Sequence, residues 1–101
     1  MAHNATGERA FVMAYNIDDA RSWSRVFRIM NGYGRLLQLS VFQCRLTARR
    51  RAALAVALEA VIRQEEDHVV LIDLDPADQV TLAVESLGYR FEPSRREAIV
   101  I

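Results

Sequence analysis

Apolar residues recur along this chain in two rhythms, and the rhythms predict its elements. Phe11 to Ile17 is a short apolar run after a polar stretch, the pattern of a buried first strand. It breaks at Asp18-Asp19, which suit a helix start both as caps and through their charge. From Asp19 to Met30 the residues Ala20, Trp23, Phe27 and Met30 return at helical spacing, and Asn31-Gly32 supplies a stop, so a first helix follows. Leu36 to Arg45 is rich in Leu, Val and Phe without Gly or Pro. It reads as a long strand, apolar on parts of both faces, and the pattern leaves open whether it bends into two.

Thr47 caps a predicted second helix that runs to about Glu65, with Leu54, Leu58, Val61 and Ile62 as its apolar stripe and Glu59 to Arg63 as an i,i+4 pair. His68 to Leu74 is a further apolar strand ended by Asp75-Pro76, and Asp78 to Leu87 allows a short helix closed by Gly88. The chain then passes Tyr89 to Phe91 and a Pro93-Ser94 break. It finishes on the apolar residues Ala98, Ile99, Val100 and Ile101.

Strand, helix, strand, helix, strand with an appended tail is the element string of an α+β sandwich. Its commonest small form is ferredoxin-like, an antiparallel sheet with two helices on one face, here with an appended C-terminal strand. The expected organisation is a flexible N-terminal tail over residues 1–9, one domain over 10–91, and a C-terminal tail over 92–101. A chain of 101 residues has room for one such domain and gains stability from oligomerisation, because much of its surface stays wet after folding. An apolar terminal strand left unpaired is an aggregation hazard, so residues 98–101 are expected to pair with a sheet, at a dimer or partner interface.

Composition narrows the function classes. No apolar run approaches the roughly 20 residues of a membrane span, and Met1 to Arg9 lacks the apolar segment of a secretory signal. The expected location is therefore cytoplasmic, away from membranes. Cys44 is the only cysteine, which rules out an intrachain disulfide and a thiolate zinc cluster. The formal net charge of zero conceals a division. Residues 1 to 51 hold nine Arg against three acids, and residues 52 to 101 hold four Arg against ten. All thirteen basic residues are Arg, whose planar fork matches two phosphate oxygens at once.

Candidate chemistry gathers where those arginines cluster. Arg21, Arg25 and Arg28 stand at i, i+4 and i+7 on the first helix, opposite Trp23, Phe27 and Met30. One solvent face therefore carries all three, a geometry that can follow a phosphate backbone and release counterions from it; the plain alternative is a solvated outer face. Arg49, Arg50 and Arg51 open the second helix, where cations oppose the macrodipole and a polyanion would relieve them. Tyr15 and Tyr33 offer rings for base stacking but sit beside apolar core residues. His3 lies in the polar tail and His68 stands alone at a strand start, and no Ser-His-Asp or Cys-His arrangement can be argued.

The order of these pieces resembles the second CRISPR-associated protein family, the small ferredoxin-like partner of the CRISPR integrase. The resemblance covers nearly the whole chain after Arg9. It rests on Tyr15-Asn16-Ile17, Arg25-Val26, Tyr33-Gly34 and, as its most specific segment, Gln38-Leu39-Ser40-Val41-Phe42-Gln43-Cys44. Softer matches are Glu66-Asp67-His68, Asp73-Leu74 with Pro76, and Glu92-Pro93 before the Ile-Val-Ile tail. Together these look most like members whose integrase is fused to a nuclease of the fourth CRISPR-associated family.

The resemblance implies a homodimer that bridges two integrase dimers in spacer acquisition, with duplex prespacer DNA lying across its basic surfaces. It also implies, for some members, a magnesium-dependent endonuclease acting on RNA or DNA through an Asp at the end of strand one, one from each subunit. This chain departs from that pattern, since Asn16 occupies the Asp position and Gln43 stands where many relatives carry Glu. Two facing amides supply dipoles without the carboxylate charge that a hard divalent cation needs, so magnesium is expected to bind weakly there. Asp18 and Asp19 lie close by as replacement ligands or, more simply, as helix caps. Three readings follow: a structural DNA-binding subunit, a metal-dependent endonuclease, and a regulatory module for a small ligand, for which no pocket-forming signature is found.

Overall fold

Strand β1 (Glu8–Asn16) lies in the interior of the sheet because its side chains are apolar on both faces. Phe11, Met13 and Tyr15 point one way and are buried, while Val12 and Ala14 point the other way and stay half-buried. The computed structural model describes residues 7–81 and 83–88. In chain order β1 is followed by α1 (Ala20–Met30), β2 (Gly34–Gln38), β3 (Val41–Thr47), α2 (Ala48–Glu59), β4 (His68–Pro76) and a 3₁₀ turn at Ala77–Gln79. The strands form one antiparallel sheet in the order β2-β3-β1-β4. This is the predicted ferredoxin-like α+β sandwich.

The core lies between the helices and one face of the sheet. Phe42, Cys44 and Leu46 of β3 and Leu36 of β2 join the inward residues of β1. Against them α1 packs Trp23, Val26, Phe27 and Met30, and α2 packs Leu54 and Leu58. Trp23 stacks on Phe27 with ring centroids 5.2 Å apart, and Phe27 meets Phe42 edge-on at 5.6 Å. Both helix starts form as their caps foretell: Asp19 Oδ2 accepts from Ser22 N at 2.8 Å, and Thr47 Oγ1 accepts from Arg50 N at 3.1 Å.

The open question of the Leu36–Arg45 segment is answered by a hairpin. A continuous strand burying Leu36 and Phe42 on one face would bury Gln38 and Ser40 with them, at a cost in unpaired polar groups. A turn at Leu39-Ser40, with an irregular register near Leu37, leaves Gln38 exposed. The turn is held by β1 and α1: Tyr15 N donates to Ser40 O at 3.1 Å, Tyr15 Oη to Leu39 O at 3.1 Å, and Trp23 Nε1 to Ser40 Oγ at 3.2 Å. Gly34 opens β2 because nothing larger fits; a Cβ there would stand 2.6 Å from Cys44 Sγ and 2.7 Å from the Gln43 carbonyl oxygen.

Five expectations need correction. Strand β1 starts at Glu8, so Glu8 and Arg9 belong to the sheet rather than to a tail. Arg9 Nε meets Asp73 of β4 at 2.9 Å. Helix α2 stops at Glu59 rather than near Glu65, because the chain closes a turn of its own. Asp67 Oδ2 accepts from Arg63 N at 2.7 Å, and the Arg63 carbonyl accepts from Glu66 N and Asp67 N. Arg63 accordingly pairs with Glu66 at 2.9 Å rather than with Glu59. Strand β4 continues through Pro76 instead of ending before Asp75-Pro76.

Finally, the helix expected from Asp78 to Leu87 does not form among the described residues, where only the 3₁₀ turn Ala77–Gln79 is helical. Val84 and Leu87 are 58% and 83% exposed, and a short helix whose apolar side chains stay unpacked cannot repay the entropy of its first turn. The tail over 98–101 lies outside the described residues.

Candidate nucleic-acid interface

The buried stripe of α1 fixes where its arginines go. Since Trp23, Val26, Phe27 and Met30 face the sheet, Arg21, Arg25 and Arg28 emerge on the opposite side, and all three are exposed. Helix α2 presents Arg49, Arg50 and Arg51 in its first turn, also exposed. The two sets lie on the same side of the sheet and meet at one end, where Arg50 Nη2 donates to the carbonyl oxygen of Gly32, just beyond the last turn of α1, at 3.0 Å. That last turn carries Arg28. Six cations on neighbouring helix ends and faces create a positive field able to attract a polyanion.

The six are not equally available. Arg50 also stacks on Tyr33, with its guanidinium carbon 4.7 Å from the ring centroid, and Arg51 lies 5.5 Å from the ring centroid of Phe11. The sequence reading weighed Tyr33 only as a base-stacking ring and Gly32 only as a helix stop, not as partners of Arg50, and the cation run at a helix start was the signal that such partners should be sought. Tyr15 turns out to be a core residue: it is buried, burial pushes its hydroxyl pKa up, and it donates to the β2–β3 turn. It is therefore no stacking platform, whereas Tyr33 is half-buried and covered by Arg50. Cys44 is buried, which pushes its thiol up to about 11 and keeps it protonated and unreactive at neutral pH.

Asn16 ends β1, is exposed, and stands opposite His68 of β4. By alternation it shares the outer sheet face with Val12 and Ala14. The donors nearby do not fit a hard divalent cation. Asn16 is neutral, and Asp19 is engaged at the helix start, where hydrogen bonds from Ser22 and, more weakly, the Arg63 and Arg21 charges hold its carboxyl below the usual range. Among the described residues no group of three or more His, Cys, Asp or Glu is arranged to hold a metal ion. Gln43 is half-buried at the centre of the same outer face, opposite Val12.

That outer face is itself a feature the sequence reading passed over. Val12, Ala14, Val41, Val70 and Leu74 are half-buried, and Ile72 is 49% exposed. The 3₁₀ turn reaches it at the Ala10 end, where Arg45 Nη2 donates to Ala77 O at 3.4 Å. The signal was present in the uninterrupted apolar runs of β1 and β4, since a strand wetted on one side alternates and a strand covered on both sides does not. No helix among the described residues is long and apolar enough to cross a membrane.

An antiparallel sheet in this order, roofed on one face by two arginine-bearing helices and apolar on the other, defines a small ferredoxin-like protein with arginines clustered on its helical side. The family model for the CRISPR associated protein Cas2 matches residues 9–81, and the chain belongs to the Cas2 family. It is 53% identical to a CRISPR-associated endoribonuclease Cas2 of Rhodospirillum rubrum over 96% of this chain and 95% of that one. It is 40% identical to a CRISPR-associated endoribonuclease Cas2 of Geobacter sulfurreducens over 93% and 99%. Among solved structures, Streptococcus pyogenes Cas2 superposes with a TM-score of 0.66 at 22% identity, over 78% of this chain and 99% of that chain. A hypothetical protein from Thermus thermophilus superposes with a TM-score of 0.68 at 28% identity, over 82% and 94%.

Proposed function

We propose that this chain is a homodimeric, DNA-binding structural subunit of the CRISPR spacer-acquisition complex, which holds duplex prespacer DNA and bridges integrase dimers in the cytoplasm. The integrase, fused to a nuclease of the fourth CRISPR-associated family in the members this chain most resembles, carries out the joining chemistry. The observation that carries this reading is the exposed row of Arg21, Arg25 and Arg28 on α1, with Arg49 also exposed in the first turn of α2. Phosphate contacts of this kind position a duplex without reading its sequence. The dimer half of the reading draws on the apolar outer face of the sheet, which burial against a second copy would remove from water. Residues 98–101 would add a strand to the same assembly, by backbone pairing at a sheet edge.

Titration of the purified protein with duplex DNA at rising salt tests the proposal. Each neutralised phosphate contributes about 0.9 to the slope of log affinity against log salt. Replacing Arg21, Arg25 and Arg28 together by Ala should weaken binding and flatten that slope by about 2 to 3. Unchanged binding would remove α1 from the interface and overturn the reading.

A second reading, metal-dependent endonuclease, is favoured by the endoribonuclease names of the two relatives above. It predicts cleavage that needs magnesium or manganese. Under the structural reading, such cleavage is weak in the unaltered protein and rises in Asn16→Asp, where a carboxylate is restored. Equal cleavage by both proteins would favour the endonuclease and place its chemistry away from Asn16.

A further inference from the structure

Three consecutive arginines on a helix cannot share one face, because each residue turns the side chain about 100° from the last. Arg49, Arg50 and Arg51 accordingly take three directions. Arg51 lies over Phe11. Arg50 turns toward α1, donating to Gly32 O at 3.0 Å while its planar face covers Tyr33. Arg49 is exposed, and among the described residues no hydrogen bond, ion pair or ring contact holds its side chain.

The geometry of Arg50 answers an electrostatic problem. A cation in the first turn of α2 faces the positive end of that helix. Gly32 lies just past the other kind of end, where α1 leaves carbonyls short of partners, so the reach from α2 carries the charge from an unfavourable pole to a favourable one. A guanidinium can donate in its plane and stack through its face at the same time. The turn it grips has little freedom of its own. Gly32 N is bonded to Ile29 O and Tyr33 N to Met30 O, and the following Gly34 is pressed against Cys44 and Gln43.

We propose that Arg50 is a positioning residue and not a phosphate ligand: it straps the turn after α1 to the start of α2 and so fixes the spacing between the row Arg21, Arg25, Arg28 and the exposed Arg49. This rests on the duplex-binding reading above and divides the labour within it. The cations that meet phosphate are those with no partner among the described residues, and the cation in the middle of the Arg49–Arg51 run holds the two helices in register.

The test compares Arg49→Ala, Arg50→Ala, Tyr33→Leu and the double variant of Arg50 and Tyr33, reading thermal midpoint and duplex affinity across a salt series. Arg49→Ala should flatten the salt slope by about 0.9 and leave the midpoint unchanged. Arg50→Ala should lower the midpoint and weaken binding several-fold at every salt concentration, with the slope kept. Tyr33→Leu changes no charge and should do the same, and the double variant should lose no more than the worse of the two single variants. An Arg50→Ala protein with an unchanged midpoint and a slope flattened as in Arg49→Ala would overturn the proposal, as would midpoint losses that simply add. If the unaltered protein ignores duplex at low salt, the proposed function falls, while the midpoint coupling still decides whether the strap exists.

Discussion

The two faces of β1 are built from similar residues and meet different fates. Phe11, Met13 and Tyr15 vanish beneath the helices, with Met13 fully buried, whereas Val12 and Ala14 on the reverse side remain half in water. The difference teaches that a single chain completes only one of the two cores its sheet is composed for. The helices roof one side, and the apolar reverse side is left for another surface. Burial on the first side stabilises the fold; burial on the second would stabilise an assembly.

That contrast can be broken most severely from the inner side. Phe42 is fully buried against Phe27 and Tyr15, and Phe42→Ala should cost about 3 to 5 kcal/mol in denaturant unfolding. A loss near zero would mean that the inner core is not packed as described. Gly34→Ala tests the same core from its rim. The added methyl would collide with Cys44 Sγ and the Gln43 carbonyl, and such overpacking costs about 1 to 3 kcal/mol.

A smaller effect is expected at the start of α1. Because the Asp19 carboxyl is held below its ordinary pKa by Ser22, its contribution is complete above the unfolded carboxylate pKa and is lost as pH falls through the lower, folded one. Unfolding midpoints measured on the acid side of the carboxylate range should therefore decline. In Asp19→Asn, which keeps an acceptor for Ser22 N but does not titrate, that part of the decline should be absent.

The smallest effect on the fold belongs to the outer face. Ile72→Ser should change single-chain stability by less than about 0.5 kcal/mol, and, where the proposed dimer forms through this face, it should shift the molar mass seen by light scattering from that of a pair toward that of one chain. A large loss of stability without a change of mass would place Ile72 in the inner core and erase the comparison.

How much of this was legible beforehand depends on which interactions are local. Helix α1 and both N-caps could be read off the sequence, because a cap and an amphipathic stripe involve residues three or four apart. The hairpin could not, since the residues that hold Leu39-Ser40 are Tyr15 and Trp23 from other elements. The early end of α2 has a different origin. Asp67 captures the Arg63 backbone, and no propensity of residues 60 to 65 announces that competition. The absent helix after Asp78 shows the reverse, a tolerable local pattern whose Val84 and Leu87 stay unpacked.

At the candidate interface the arginines were visible and their division of labour was not. The sequence places Arg49, Arg50 and Arg51 together, and only the fold brings Gly32 and Tyr33 within reach of the middle one. The departure at Asn16 was plain from residue type alone, since amides and carboxylates differ in charge whatever their surroundings.

The lone tryptophan of the chain has an optical consequence. Its indole is tied to Ser40, stacked on Phe27, and forms one wall of a hollow of about 250 Å³ shared with Ile17, Asp18, Ala20 and Leu39. With no second indole to blur the signal, the colour of its emission is a readout of how firmly the first helix grips the β2–β3 turn, and it can be followed without attaching any label.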